Sequence, residues 1–218
     1  MKREVYPVIL AHTLEEYVQR LELVEQSSAD WVQVDIMDGQ FVPNITVMPN
    51  EFMSIRTKLK VEAHLMTHRP ERYFSDLTVA NVSRVLIHVE SAETADDLRT
   101  ILKQAADYFN EVGIVINPFS PIEQWHLGLP IHCIQLMGVV PGQSGQHMLD
   151  GTADRIRELR AMGWGGTIGI DGGVTEENIA SLIDAGANRF VVASHVFANN
   201  AVKQNLQHFN QLVTGGAL

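Results

Sequence analysis

The chain has 218 residues, 45% of them hydrophobic and 19% charged, with a formal net charge of −10 at pH 7. That length suits one domain spanning residues 1–218, such as a single α/β barrel of roughly 200–250 residues, and allows a substantial core without staples. The negative balance argues against a general nucleic-acid binder, which needs a basic footprint, yet permits a phosphorylated ligand held by backbone N–H groups.

The opening M-K-R-E-V-Y-P lacks the apolar core of a signal peptide. No run approaches membrane-spanning length, so a cytoplasmic protein with no membrane partner is expected. Short apolar, β-branched runs then alternate with amphipathic stretches. A strand is predicted over 5–11 and a helix over 14–24, where apolar residues recur at three- and four-residue spacing. Strands follow at 31–37, 61–66 and 84–90, then a helix over 95–109 and strands at 112–117 and 132–138. The single cysteine, Cys133, sits in I-H-C-I-Q-L-M and reads as a small core residue; no internal disulfide can form. A helix over 153–162 leads to strand 166–171, and a helix over 176–186 leads to strand 189–194. Thr175 is the expected N-cap of that last helix, and Gly186 the left-handed residue that ends it.

Eight strands alternating with helices imply parallel pairing with right-handed crossovers. A (β/α)8 TIM barrel fits best, with an open doubly wound sheet as the structural alternative. In such a barrel functional groups lie at the C-terminal strand ends. The unusual polar residues fall there. Gln33, Asp35 and Met37 share one strand face, as do Glu62, His64 and Met66. His88 and Glu90 end the fourth strand, Asn117 the fifth, Met137 the sixth and Asp171 the seventh. Buried charges need partners, so recurrence at one end of several strands points to a single site. The glycine loops P-G-Q-S-G-Q (141–146) and D-G-G-V-T (171–175) allow close backbone approach to an anion, which suggests a phosphorylated ligand.

At this point the sequence resembles a known family. The segments V-D-I-M-D-G-Q-F-V-P-N, A-H-L-M, M-G-V-V-P-G-Q-S-G-Q, I-D-G-G-V and V-A-S-H-V-F are similar to those of ribulose-phosphate 3-epimerases, in order along nearly the whole chain. The resemblance implies inversion at C3 of a ketopentose 5-phosphate, interconverting ribulose and xylulose 5-phosphates. It implies Asp35 and Asp171 as the acid/base pair, and Asp35, His64 and Asp171 as ligands of a divalent metal. Met37, Met66 and Met137, with His64, would pack around the substrate. Gly142, Ser144, Gly145, Gly172, Gly173 and Ser194 would hold its phosphate. A homo-oligomer is also implied.

The chain departs from that pattern in its pocket. Gln33 stands where the family has a histidine ligand, and Val8 where it has a substrate-contacting serine. Gln143 and Ser144 replace an aromatic residue and a glycine, and His195 follows Ser194 in place of a small residue. An amide oxygen is a harder donor than imidazole, so Mg²⁺ or Mn²⁺ is expected over Zn²⁺, held weakly or not at all. His12 or His195 could restore the missing imidazole, although contact with substrate or solvent is the preferred reading for both. Three readings follow: an epimerase with altered metal dependence, a sugar-phosphate binder without turnover, or a scaffold barrel. The presence of Asp35, His64, Asp171 and the three methionines favours chemistry.

Overall fold

A computed structural model describes residues 2–122, 131–143 and 145–215. Eight strands form a closed barrel: β1 (Glu4–Ile9), β2 (Trp31–Met37), β3 (Lys60–Met66), β4 (Arg84–His88), β5 (Glu111–Ile116), β6 (Cys133–Met137), β7 (Thr167–Asp171) and β8 (Arg189–Val192). Each pairs in parallel with the next, and β8 pairs with β1, which settles the closed barrel over the open sheet. The predicted runs at 5–11, 84–90 and 189–194 overshoot. Leu10, Ala11, Val89 and Glu90 stay buried or half-buried beyond the ladder, and Leu10, Ala193 and Ser194 line the mouth, so the apolar runs continue past the last paired residue.

Among the described residues the connections carry α1 (Leu14–Glu25), α2 (Pro49–Phe52), α3 (Phe74–Val79), α4 (Ala95–Tyr108), α5 (Thr152–Ala161), α6 (Ile179–Ala185), α7 (Ser194–Phe197) and α8 (Val202–Thr214). Thr13 caps α1 by accepting from Glu16 N at 3.2 Å, and Thr94 caps α4 by accepting from Asp97 N at 3.1 Å. The expected Thr175 cap is corrected: α6 begins four residues later. The Asn178 side chain accepts from Thr175 N and donates to Gly173 O at 2.7 Å, tying residues 173–178 into a turn ahead of the helix. Gly186 ends α6 at φ +113°, the left-handed geometry its position requires.

The period-two alternation of β2 divides its side chains between two environments. Val32, Val34 and Ile36 point outward into the helix-packed core, while Gln33, Asp35 and Met37 face the barrel interior. Towards the N-terminal end the interior is closed by an ionic plug. Glu62 Oε2 accepts from Arg84 Nη1 at 2.6 Å and from Arg189 Nη1 at 3.0 Å, and Arg84 also pairs with Glu111. Trp31 and Tyr6 lie over these guanidinium groups, 4.2 and 4.7 Å from ring centroid to Cζ. Glu62 therefore belongs to the floor of the barrel, and His64, two residues on, to the site above it.

Candidate active site

The loop after β2 is built to hold the end of that strand. Thr46 Oγ1 donates to Asp35 O and accepts from Met37 N, both at 2.9 Å, so residues 38–47 fold back against β2. Asp38 organises the bend. Its Oδ1 accepts from Gln40 N and Phe41 N, and its Oδ2 from His68 N at 2.7 Å. Asn44 then donates to Gly142 O at 2.5 Å, joining this loop to the glycine loop after β6. Asp35 is thus presented inward from a strand end fixed on both sides.

At the barrel mouth a cavity of about 620 Å³ is floored by Asp35, His64 and Asp171. The two carboxylates come from β2 and β7 and converge on one imidazole from β3. His64 Nδ1 lies 3.1 Å from Asp35 Oδ1 and 3.3 Å from Asp171 Oδ2. Burial raises the Asp35 carboxyl, and the neighbouring Asp171 charge pushes the same way against the His64 and Gln33 contacts. Burial alone would lower His64, but its hydrogen bonds to Asp171 and Asp35 and their charges hold it up at about 10. His64 is an imidazolium here. Its Nε2 lies 2.9 Å from Nε2 of His88, which in turn bonds Glu90 through Nδ1 at 3.2 Å. Burial drives His88 down to about 4, so it is neutral and accepts from His64.

Gln33 completes the centre. Its Nε2 donates to Asp35 Oδ1 at 2.9 Å and Asp171 Oδ2 at 2.7 Å, and lies 3.3 Å from His64 Nδ1. With His64 protonated, that last approach is two donors sharing the same carboxylate acceptors. Gln135, from β6, donates to Asp171 Oδ2 at 2.9 Å and to Gln33 Oε1 at 3.3 Å. Gln135 is a site residue that the sequence pattern does not mark out. The available signal was a polar residue inside an apolar strand, on the same face as Met137.

The other expected residues fall as follows. Met37, Met66 and Met137 line the cavity, and Gly142, Gly145, Gly172, Gly173 and Ser194 form its rim with His195. Ser144 lies outside the described residues. Gly172 and Gly173 have φ of +96° and +71°, and a Cβ on Gly173 would come within 2.5 Å of Met148 N. Val8 is buried level with Gln33, below the cavity wall. His12 is exposed and bound through Nδ1 to Ile45 O at 2.7 Å. Neither it nor His195 joins the cluster of possible metal ligands, so the idea of a restored imidazole is corrected.

Asp35, His64 and Asp171 each offer one ligand atom, all within 4.8 Å of one another. Two carboxylates and an imidazole fit a divalent cation in donor type and burial. Two adjustments are needed for it to bind. His64 must lose its Nδ1 proton, and the Gln33 nitrogen must withdraw.

A closed parallel barrel with acid and imidazole groups gathered at its C-terminal mouth defines an enzyme of the (β/α)8 class. The sequence model of the ribulose-phosphate 3 epimerase family matches residues 4–197. The ribulose-phosphate 3-epimerase of Synechocystis sp. is 36% identical over 200 residues, covering 88% of this chain and 86% of that one. The Bacillus subtilis ribulose-phosphate 3-epimerase is 31% identical over 209 residues, 92% and 95% of the two chains. Among solved structures, KGPDC from Streptococcus mutans superposes with a TM-score of 0.71 at 11% identity, over 99% of this chain and 98% of that one. Phosphoribosyl anthranilate isomerase from Thermus thermophilus gives 0.68 at 16% identity, over 99% of each chain. These structures share the fold. The chain belongs to the ribulose-phosphate 3-epimerase family and is an isomerase.

Proposed function

We propose that the protein inverts C3 of a ketopentose 5-phosphate, interconverting ribulose and xylulose 5-phosphates. The observation that carries this reading is the convergence of Asp35 and Asp171, from strands on either side of β1 and β8, on one imidazole at the cavity floor. Abstraction of a proton beside a carbonyl gives an enediolate, and inversion needs a second group to return a proton to the opposite face. Asp35, raised by burial, and Asp171 take these two roles. The His64 imidazolium, held between them with both N–H groups engaged, places positive charge beside the developing oxyanion. Met37, Met66 and Met137 give the reacting carbons an apolar wall that excludes water.

The phosphate is held at the rim by backbone N–H groups of Gly172, Gly173, Gly142 and Gly145, with Ser194 opposite. A divalent cation on Asp35, His64 and Asp171 would supply Lewis-acid stabilisation of the enediolate, with Mg²⁺ or Mn²⁺ suiting the oxygen-rich set better than Zn²⁺.

A coupled assay on ribulose 5-phosphate and related ketose phosphates, with and without Mn²⁺, Zn²⁺ and chelator, tests the reading. Turnover on ribulose 5-phosphate is expected, and no turnover on any ketose phosphate would sink it.

A further inference from the structure

Gln135 has no part in the chemistry described above, yet it is 1% exposed in the middle of β6. A buried amide is costly unless its donors and acceptors are matched. Its Nε2 is matched by Asp171 Oδ2 and Gln33 Oε1, while its Oε1 has no partner among the described residues. The in-register neighbour on β7, Gly169, leaves room for the side chain; a Cβ there would come within 3.2 Å of Gln135 Oε1.

These bonds fix which way both amides face. Gln33 Oε1 accepts a hydrogen bond from Gln135 Nε2, so Gln33 Nε2 must face the carboxylates. Turning Gln33 over, to offer oxygen to a cation, would set its nitrogen against the nitrogen of Gln135. Turning Gln135 as well would aim its oxygen at Asp171 Oδ2, the atom its nitrogen now reaches at 2.9 Å. Either turn replaces an attraction with a repulsion in a buried site. A cation bonded to Asp35 Oδ1, Asp171 Oδ2 and His64 Nδ1 at about 2.0–2.2 Å would need the space that Gln33 Nε2 fills. That nitrogen stands 2.9, 2.7 and 3.3 Å from the same three atoms.

We propose that Gln135 is a positioning residue that locks the Gln33 amide with its nitrogen inward, so that the pair occupies the cation's place and a divalent ion binds only by displacing it. The proposal rests on the reading that Asp35, His64 and Asp171 take a divalent cation. In the locked arrangement the carboxylates are held together by N–H donors, so the site stays assembled without an ion. The lock lies on two strands, and neither of its residues reaches the cavity wall.

The test is equilibrium Mn²⁺ binding, followed by calorimetry, on the full chain and on Gln135→Leu, Gln33→Leu, the double variant and Gln33→His. Leucine at 135 keeps an aliphatic group beside Gly169 and removes the donor. Gln135→Leu is expected to bind Mn²⁺ about tenfold more tightly or better, the scale on which one partner beyond the ligands acts. The freed Gln33 oxygen then turns to the ion. In the Gln33→Leu background the same change is expected to shift affinity by less than about threefold, because there is no amide left to lock.

Equal affinity in wild type and Gln135→Leu overturns the lock, as does an equal gain in the Gln33→Leu background, which would place the effect on Asp171 alone. Gln33→His separates the two failures. If it too binds no Mn²⁺, the cation reading falls and the lock with it; if it binds while Gln135→Leu changes nothing, only the lock falls. Gln135→Met, with a flexible side chain of similar size, repeats the comparison should the leucine variant not fold.

Discussion

The Nε2 atoms of His64 and His88 stand 2.9 Å apart, with ring centroids 5.0 Å apart and planes within 20° of each other, so the two imidazoles meet edge to edge. Two ring nitrogens at that distance require one donor and one acceptor. Glu90, whose carboxylate stays low through its His88 bond despite burial, accepts a hydrogen bond from His88 Nδ1–H. Its other oxygen accepts from Asn117 N at 2.9 Å, which anchors the chain to β5. His88 is thereby fixed as the tautomer that accepts from His64, and it sets that ring's orientation between the two aspartates.

His88→Phe should keep a ring of similar shape and remove the acceptor. Loss of about 10–100-fold in kcat/KM is expected, the range found when the orienting partner of a functional histidine is removed. Nitrogen NMR of the imidazoles gives a second readout. In the wild type His88 Nε2 should be unprotonated at neutral pH and both His64 nitrogens protonated. A His88 protonated at Nε2 would contradict the assignment.

The floor of the barrel makes a separate claim on Glu62. Its carboxylate answers two guanidinium groups whose side chains are 5% and 4% exposed. Removing one member of a buried ionic cluster leaves uncompensated charge. Glu62→Ala should therefore cost about 3–5 kcal/mol of unfolding free energy. Urea denaturation measures it, and a loss below about 1 kcal/mol, the scale of an exposed ion pair, would show the cluster to be well hydrated.

Most of the fold was legible because parallel strands buried on the helix-facing side read as continuous apolar runs. The helices α1, α4 and α5 were legible for the matching reason, a sustained 3.6-residue period; the 13-residue α8 was not singled out, although Val202, Leu206, Phe209 and Val213 carry the same period. The four-residue α2 and six-residue α3 are too short to show a period. Within the site, Asp35, His64 and Asp171 stood out as charged or imidazole groups in apolar strands. Gln135 did not, because a neutral amide in an apolar run looks like a tolerated core residue until its partner is seen across the barrel. His12 and His195 stay out of the ligand cluster because a position just beyond a strand's C-terminal end does not fix where a side chain points: His12 is bound to Ile45 O, and His195 lies on the cavity rim.

Gly173 offers a test of the phosphate rim. Its φ of +71° strains any other residue, and an added Cβ would meet backbone at Met148. Gly173→Ala should cost about 1–3 kcal/mol of stability and disturb the N–H groups aimed at the phosphate. KM for a ketose phosphate is expected to rise with a smaller change in kcat. Gly165 is the control, since a Cβ there meets nothing within 4 Å. Gly165→Ala should stay within about 0.5 kcal/mol of wild type with KM unmoved. Equal kinetics in the two variants would remove Gly173 from the binding surface.

The paired carboxylates make the sharpest kinetic expectation. If Asp35 and Asp171 address opposite faces of the enediolate, Asp35→Asn and Asp171→Asn should each abolish inversion, since each lacks the group that returns a proton to one face. Neither should abolish proton removal altogether. The remaining carboxylate can still take the C3 proton of the one epimer that presents it and give back a solvent deuteron on the same face. In D₂O, each variant should therefore wash deuterium into C3 of one epimer without inverting it, and the two variants should choose opposite epimers. Asparagine keeps the shape of each side chain, so a shared collapse of structure would appear as loss of both exchanges and of thermal stability. Exchange of the same epimer by both variants would place the two carboxylates on one face. Inversion surviving in either variant would remove that aspartate from the acid/base pair.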